Sequence, residues 1–273
     1  MITWMGLLWS FAVYRRPGRQ RGLRRMYRPF LGSGDLAFDI GAHLGDRTLA
    51  FAALGARVVA LEPHPLVGRW LRRLVGRRDG ITVRHEAVGR AVGVARLALS
   101  GLTPTVSSIV GAWRTTVTQR SRAFRGVRWE TEVEVPVVTL DDLIDTYGLP
   151  RFCKIDVEGA EVDVLAGLTQ PIPALSFEFI SGAIDSAVAC VARLEQLGSY
   201  EYNAIAGEGR RFVFDAWKRP ADVAAWLELG GGDAASGDIY ARLTIGRARS
   251  DGRPRSDDRP RSDDKNGPDG RRA

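Results

Sequence analysis

The stretch that decides the fold is Gly34–Thr48, GDLAFDIGAHLGDRT. Residues 35–40 form a short apolar run that predicts a buried strand, and Asp39 stands at its end. Gly41 and Gly45 follow, and they predict a tight turn before a helix over residues 46–54. A strand, a glycine turn and a helix in this order are typical of a ligand-binding corner at the edge of an α/β sheet.

The residues of this corner narrow the class of ligand. A dinucleotide pattern needs three glycines, G-x-G-x-x-G, so that backbone amides can approach a pyrophosphate. Here the pattern is D-x-G-x-x-x-G, and His43 stands in place of the middle glycine. The carboxylate of Asp39 would repel a pyrophosphate but attract a sulfonium or ammonium group. The corner therefore favours S-adenosylmethionine over a nicotinamide dinucleotide.

A second acidic residue has the spacing that this interpretation requires. Residues 57–62 predict a second strand ending in Glu62, which follows Gly41 by 21 positions, and Pro63 stops that strand. An acid at this place accepts hydrogen bonds from the ribose hydroxyls of an adenosine. In the alternative interpretation, Asp39 and Glu62 only end strands and the glycines only make turns. The order of strand, acid, glycines, helix, strand and acid disfavours it.

Further acidic residues follow the strand predicted over residues 151–157. Asp156 and Glu158 stand at its end, and Lys154 lies within it. Glu178 interrupts the apolar strand predicted over 173–180, so its carboxyl must be paired or held neutral. We expect Asp156 or Glu158 to act as a general base, Lys154 to orient it, and Glu178 to lie near the substrate. Alternatively the acids could hold Mg²⁺, although no metal is predicted, or Lys154 could pair with Glu158 only structurally.

Strands and helices alternate between residues 35 and 246, which predicts one α/β domain. Such alternation is typical of a mostly parallel sheet with helices on both faces. Two apolar runs, 200–206 and 211–214, flank a glycine-rich turn and predict an antiparallel C-terminal hairpin, with a last strand near 238–243. The remaining predicted strands are 80–85, 92–99 and 132–138, and the remaining helices are 65–76, 140–147, 159–168, 184–197 and 221–229.

The net charge of +7 is concentrated at the two ends of the chain. Residues 1–34 contain seven arginines and no acid, residues 247–273 carry +3, and residues 35–246 carry −3. We therefore divide the chain into an apolar and then arginine-rich N-terminal helical segment (1–34), the main domain (35–246) and a charged tail (247–273). The tail has too few apolar residues to fold, which predicts disorder. A high overall pI is then weak support for nucleic-acid binding.

Three further segments allow more limited expectations. Residues 1–14 are apolar but fall short of the ~20 residues that span a bilayer. Either they pack on the domain, or residues 1–28 contact an anionic membrane surface. Residues 100–130 predict a functional loop or lid. Cys153 and Cys190 have no metal-binding spacing, which favours reduced thiols and a cytoplasmic location.

Five short motifs give a more specific resemblance. They are DIGAHLG (39–45), EPHP (62–65), AVG (87–89), TLDDL (139–143) and KIDVEGAE (154–161). In this order they resemble the FkbM family of S-adenosylmethionine-dependent methyltransferases, which typically methylate hydroxyls of sugars, polyketides or related metabolites. The resemblance implies a class I methyltransferase fold, a Rossmann-like α/β sheet. His43 stands where the family often has Asn.

The resemblance also implies roles for residues. Asp39, Gly41 and Gly45 would surround the methionine end of the cofactor, Glu62 would bind the ribose, and Asp156 and Glu158 would lie near the transferred methyl group. The segment with Ser107 and Ser108 would form a loop over the active site, near the substrate. The full set of expected cofactor-binding residues is Asp39, Gly41, His43, Gly45, Glu62, Pro63, Ala87 and Val88, with Ala87 and Val88 beside the adenine.

Taken together, the residues and the resemblance predict an O-methyltransferase acting on a hydroxyl of a sugar, glycan or related metabolite. Two alternatives remain: an RNA methyltransferase that uses the N-terminal arginines on phosphates, and a non-catalytic binding module. We expect no nucleic-acid partner, because the aromatic residues are not interleaved with the basic run. The intact set of acids disfavours the binding module.

Overall fold

The computed structural model describes residues 18–100, 107–108, 129–207 and 209–244. The predictions for residues 1–17, for most of the loop 100–130 and for the tail 247–273 lie outside the described residues. The helices are α1 (Arg19–Tyr27), α2 (Asp46–Ala52), α3 (Pro65–Val75), α4 (Leu140–Tyr147), α5 (Glu161–Ala166), α6 (Ile184–Leu197) and α7 (Pro220–Glu228). The strands are β1 (Leu36–Ile40), β2 (Arg57–Leu61), β3 (Ile81–Arg84), β4 (Ala87–Val88), β5 (Gly93–Ser100), β6 (Ser107–Ser108), β7 (Trp129–Val138), β8 (Phe152–Ile155), β9 (Ala174–Ile180), β10 (Tyr200–Ala206) and β11 (Ser236–Leu243).

Seven strands form the central sheet in the order β10-β11-β9-β8-β1-β2-β3. The pairs from β9 through β8, β1 and β2 to β3 are parallel, whereas β11 is antiparallel to both β9 and β10. This confirms the expected mostly parallel sheet with an antiparallel C-terminal pair. Because β1 lies between two parallel neighbours, the turn that follows it emerges in the middle of the carboxyl edge of the sheet.

The detail of the predicted C-terminal hairpin is wrong. Residues 211–214 do not form a strand, and the antiparallel partner of β10 is β11, which follows only after α7. The segment still runs back beside β10, since the Val213 amide donates to the Ala204 carbonyl at 2.8 Å and Tyr202 forms a bridge with Lys218. The apolar alternation of residues 211–214 reflects this edge contact rather than a strand of the sheet.

A second sheet was not predicted. It has the order β4-β7-β5-β6, and the strands expected over 92–99 and 132–138 pair with each other there, antiparallel, rather than in the central sheet. Gly93 is opposite Val137 in this pairing. Alternation along the chain could not reveal it, because strand periodicity does not say which sheet a strand joins.

Apolar clusters cover both faces of the central sheet, as expected. Alternate residues of a strand point to opposite faces, and Phe38 of β1 packs with α4, α5 and α6 on one face. Ala37 points to the other face, where it packs with Leu23 and Tyr27 of α1 and Phe51 of α2. The helices therefore form two layers, α1–α3 on one side and α4–α7 on the other.

The start of α2 holds α1 in place through polar contacts. Asp46 is buried and accepts hydrogen bonds from Arg19 Nε at 2.6 Å and Gln20 Nε2 at 2.7 Å. Since Asp46 directly follows Gly45, α1 is hydrogen-bonded to the first residue after the glycine turn. Helix α4 is fixed by its own cap, because Thr139 and Asp142 form the reciprocal bonds of a capping box.

Among the described residues, no helix is both long enough and apolar enough to cross a membrane.

The ring of Phe152 provides a test of the core beneath α1. Phe152 is fully buried, and its ring centroid lies 5.1 Å from that of Phe30 and 5.5 Å from that of Tyr27. We expect Phe152→Ala to lower the free energy of unfolding by about 3–5 kcal/mol, through lost burial and a residual cavity. Urea unfolding would measure it, with the exposed Leu229→Ala as control. Equal losses in the two variants would contradict this packing.

Candidate active site

The turns that follow β1 and β8 touch at the carboxyl edge of the sheet. The Asp156 amide donates a hydrogen bond to the Ile40 carbonyl at 2.9 Å, so the two turns are paired at this point. Gly41 has a φ of 79°, and a Cβ placed on it would lie 1.7 Å from the carbonyl oxygen of Asp156. Only glycine fits here, because both the backbone conformation and the close approach of the turn after β8 exclude a side chain.

The carboxylate of Glu62 joins the first turn to the second strand. Its Oε2 accepts the His43 amide and its Oε1 accepts the His64 amide, each at 2.9 Å. Burial raises the pKa of Glu62 to about 7, although both backbone hydrogen bonds act in the opposite direction. Glu62 therefore lies beside the glycine turn, as the spacing predicted, and fixes the shape of that turn.

Asp39 and Gly45 shape the turn from its other side. Asp39 is 1% exposed and accepts the Thr48 hydroxyl at 2.5 Å, which ties the end of β1 to the first turn of α2. Burial raises the pKa of Asp39 above its usual value. Gly45 has a φ of 84°, and a Cβ there would lie 2.8 Å from Leu71 and Val75 of α3. The turn is thus packed between α2 and α3.

The role of His64 was not predicted. It is the N-cap residue of α3, and its Nδ1 accepts the Leu66 amide at 3.1 Å. Histidine is not among the preferred N-cap residues, so capping statistics do not reveal it. The available signal is Pro65 directly after it, since proline is favoured at the first position of a helix.

Lys154 is a buried cation held between two acids. Its Nζ lies 2.6 Å from Asp156 Oδ2 and 3.9 Å from Asp238 Oδ1, and Lys154 is 1% exposed. Burial would lower the pKa of Lys154, but attraction to Asp156 and Asp238 raises it above its usual value. Among the described residues Lys154 thus forms its close ion pair with Asp156, one of the two acids it was expected to orient, and not the alternative structural pair with Glu158. Asp238 was missed, although an acid within the apolar strand near 238–243 is the same signal that singled out Glu178.

Three carboxyl groups lie together beside this cation. Side-chain oxygens of Asp156, Glu158 and Glu178 all lie within 4.8 Å of one another. Burial would raise the pKa of Asp156, but attraction to Lys154 brings it below its usual value. Burial and repulsion from neighbouring acids raise the pKa values of Glu158 and Glu178 well above theirs. The cluster therefore combines one carboxyl of lowered pKa, Asp156, with two of raised pKa, and it offers oxygen ligands to a cation.

The loop between β8 and α5 holds Glu158 in an unusual conformation. Glu158 has a φ of 53°, which is uncommon for a residue other than glycine. Glu161 closes the loop, since its Oε1 accepts the amides of Val157 at 3.1 Å and Gly159 at 3.3 Å. Burial raises the pKa of Glu161 to about 7. Its contacts make Glu161 a support for the loop that presents Glu158.

Other predicted site residues lie around this edge or beyond it. Ala87 and Val88 form β4 in the second sheet, where both are buried. Pro63 is half-buried after β2. Ser107 and Ser108 form β6, opposite Leu99 and Ala98 of β5. The structure thus brings together the glycine turn, Glu62 and the acids after β8, and it places the two serines on a neighbouring sheet.

These features together define the class of the protein. The sheet order, the glycine turn after β1, the acid after β2 and the acidic loop after β8 are those of a class I methyltransferase fold. The Methyltransferase FkbM domain matches residues 39–185, which is more than half of the chain. The chain belongs to this family of methyltransferases, which confirms the resemblance drawn from its motifs.

Solved structures and curated sequences were also compared with the chain. A precorrin-6y C5,15-methyltransferase from Geobacter metallireducens GS-15 is similar over 82% of this chain and 87% of its own, with a TM-score of 0.43 and 12% identity. A SAM-dependent O-methyltransferase from Thermotoga maritima is similar over 85% of this chain and 66% of its own, with a TM-score of 0.39 and 10% identity. Among curated protein sequences no match is found.

The contact at Gly41 gives a test of the site geometry. We expect Gly41→Ala to destabilise the fold by more than the ~1–2 kcal/mol that a left-handed conformation costs an alanine, since the Asp156 carbonyl must also move. Gly18→Ala is the matched control, because Gly18 also has a left-handed backbone, with φ 80° and ψ −12°, but open space around its Cβ position. Urea unfolding would measure both, and equal losses would contradict a decisive contact at Gly41.

Proposed function

We propose that the chain transfers a methyl group from S-adenosylmethionine to a hydroxyl of a sugar, glycan or related metabolite. The observation that carries the proposal is the group of acids Asp156, Glu158 and Glu178 around Lys154, next to the glycine turn. Such a cluster can receive the proton that a hydroxyl loses when its oxygen is methylated. Family membership supports methyl transfer, and the chemistry of the cluster supports an oxygen acceptor.

The residues fit a cationic cofactor. The Oε2 atoms of Glu158 and Glu178 are buried without a hydrogen-bond partner, so this edge of the sheet offers unused negative or polar groups. S-adenosylmethionine, when bound, supplies a methyl group on a positively charged sulfur. Glu62 would hold the ribose, because its carboxylate keeps further lone pairs after accepting two amides. The proposed lining is Asp39, Gly41, His43, Gly45, Glu62, Pro63, Ala87 and Val88.

Asp156 is the group best prepared to take the proton. Attraction to Lys154 lowers its pKa and favours its ionised form, whereas the raised pKa values of Glu158 and Glu178 favour their protonated forms. A substrate hydroxyl placed against Asp156 would pass its proton to that carboxylate as the oxygen–methyl bond forms. Lys154 and Asp238 hold Asp156 in place, and the other two carboxyls can hydrogen-bond neighbouring hydroxyls. Ser107 and Ser108 are proposed to lie near the same acceptor.

The acceptor class follows from the same groups. Carboxyls accept hydrogen bonds when ionised and donate them when protonated, so the cluster can bind several hydroxyls of one molecule. A polyhydroxylated acceptor such as a sugar satisfies more of these groups than an apolar molecule would. A divalent cation held by the three acids would also hold an acceptor hydroxyl in the site, by binding its oxygen.

We also propose a cytoplasmic location. Cys153 and Cys190 are both buried as free thiols, which suits a reducing compartment.

Titration with S-adenosylhomocysteine tests the cofactor half of the proposal. We expect binding to weaken as the pH falls below about 7, where Glu62 becomes protonated, by up to about tenfold per pH unit. Glu62→Gln should weaken binding at neutral pH and remove this dependence. Isothermal calorimetry would measure both, with the exposed Glu228→Gln as control and NAD as the competing cofactor. Absence of S-adenosylhomocysteine binding at every pH would overturn the proposal.

The rate of methyl transfer tests the catalytic half of the proposal. We expect Asp156→Asn to bind S-adenosylhomocysteine like the wild type but to lose methyl transfer by about 10²–10⁴-fold, the usual contribution of a general base. Transfer of a labelled methyl group to a panel of sugars would be measured with added Mg²⁺ and with EDTA. The exposed Asp145→Asn is the matched control. Unchanged turnover in Asp156→Asn would show that Asp156 is not the general base. It would not contradict the proposed cofactor, which the titration tests separately.

A further inference from the structure

Helices α1 and α3 lie in one layer, with α2 between them. Val58 and Ala60 of β2 point to the same face of the sheet, and they pack with Leu23 of α1 and Leu71 of α3, respectively. Tyr27 of α1 also contacts Phe51 of α2 at a centroid distance of 4.7 Å. The outer sides of α1 and α3 therefore belong to the same helical layer and face away from the sheet.

This surface is strongly positive. Segments 18–32 and 63–80 form it, and their single exposed acid is Asp79, although residues 35–246 as a whole carry a net charge of −3. In the described part of the chain, none of its exposed arginines forms an ion pair. We call this surface the arginine face; its exposed arginines are Arg21, Arg25, Arg28, Arg69, Arg72, Arg73, Arg77 and Arg78.

The arginine face includes a cavity along α3. The cavity has a volume of about 690 Å³ and is lined by Arg69, Arg72, Arg73 and Arg77 together with Trp70 and His85. Guanidinium groups bind phosphate through paired, parallel hydrogen bonds. A cavity of this size with four such groups is suited to a phosphate-bearing head group.

We propose that the arginine face binds the phosphate groups of an anionic membrane surface, with one lipid head group in the cavity along α3. Clusters of four to eight basic residues on a helical surface are typical of binding to anionic lipids, and each arginine near the surface adds to the affinity. The docked protein would keep the acids after β8 clear of the lipid, because they lie at the sheet edge rather than on the helical layer.

Two observations favour a membrane over a nucleic acid. Residues 1–14, MITWMGLLWSFAVY, are apolar, and only four residues, Arg15 to Gly18, separate them from α1 in the sequence. Surfaces that bind single-stranded nucleic acids typically combine basic groups with aromatic rings on which bases stack. The ring of Trp70 is instead covered by Arg73, whose guanidinium carbon lies 5.5 Å from its centroid.

Vesicle binding by the full chain tests the proposal. We expect sedimentation with vesicles of phosphatidylcholine and phosphatidylglycerol, none with phosphatidylcholine alone, and weaker binding as salt rises. Replacing three arginines of the cavity should weaken binding at least tenfold, since each arginine near an anionic surface is worth a factor of about five. The substitutions are Arg69→Gln, Arg73→Gln and Arg77→Gln.

A charge-matched control uses arginines outside this face. Arg90 and Arg219 form exposed ion pairs on the opposite layer, and Arg96 is exposed on β5. Replacing these three with Gln should change vesicle binding less than twofold, because only general charge is lost. Equal weakening in the two triple variants, or no preference for phosphatidylglycerol, would overturn the proposal. Tighter binding of single-stranded RNA than of vesicles through the same three cavity arginines would also overturn it. Calorimetry with S-adenosylhomocysteine would show that each variant retains its fold.

Discussion

The contact of Gly41 with the carbonyl of Asp156 constrains everything at the carboxyl edge of the sheet. It brings the turn after β1 against the turn after β8 with no side chain between them. Because β1 and β8 are parallel neighbours, this approach sets how far the acids on one turn lie from the backbone amides on the other. A larger residue at position 41 would separate the two halves of the site, even if every acid remained in place.

The buried charge of Lys154 explains the arrangement of the acids. An unpaired ammonium group inside a protein is costly, so Lys154 needs at least one carboxylate at close range. Asp156 meets this need at 2.6 Å, and Asp238 supports it from β11. Burial and repulsion from neighbouring acids raise the pKa values of Glu158 and Glu178, and at Glu158 they outweigh the attraction of Lys154. The cluster thus combines one carboxyl of lowered pKa with two of raised pKa, a difference that acid–base chemistry uses.

Most of the central sheet and the cofactor-binding corner could be predicted from local sequence. Gly41, Glu62 and Asp156 stand at strand ends, and strand ends can be recognised from apolar runs and the residues that stop them. What could not be predicted depends on long-range pairing. Asp238 reaches Lys154 only because β11 lies against β9, and β5 and β7 form their own sheet because they pair with each other. The segment 211–214 has the composition of a strand but lies at the edge, where neighbouring contacts decide its conformation.

The position of β11 has a consequence for how the domain is made. β11 lies between β9 and β10 in the sheet, although both precede it in the chain. While the protein is being synthesised, β9 and β10 each present an unpaired edge until residues 236–243 have left the ribosome. Tyr240 on that strand also packs against Phe30, close to the other end of the described chain. Folding of the sheet is therefore completed only after nearly the whole domain has been translated, and its open edges need protection from other nascent chains until then.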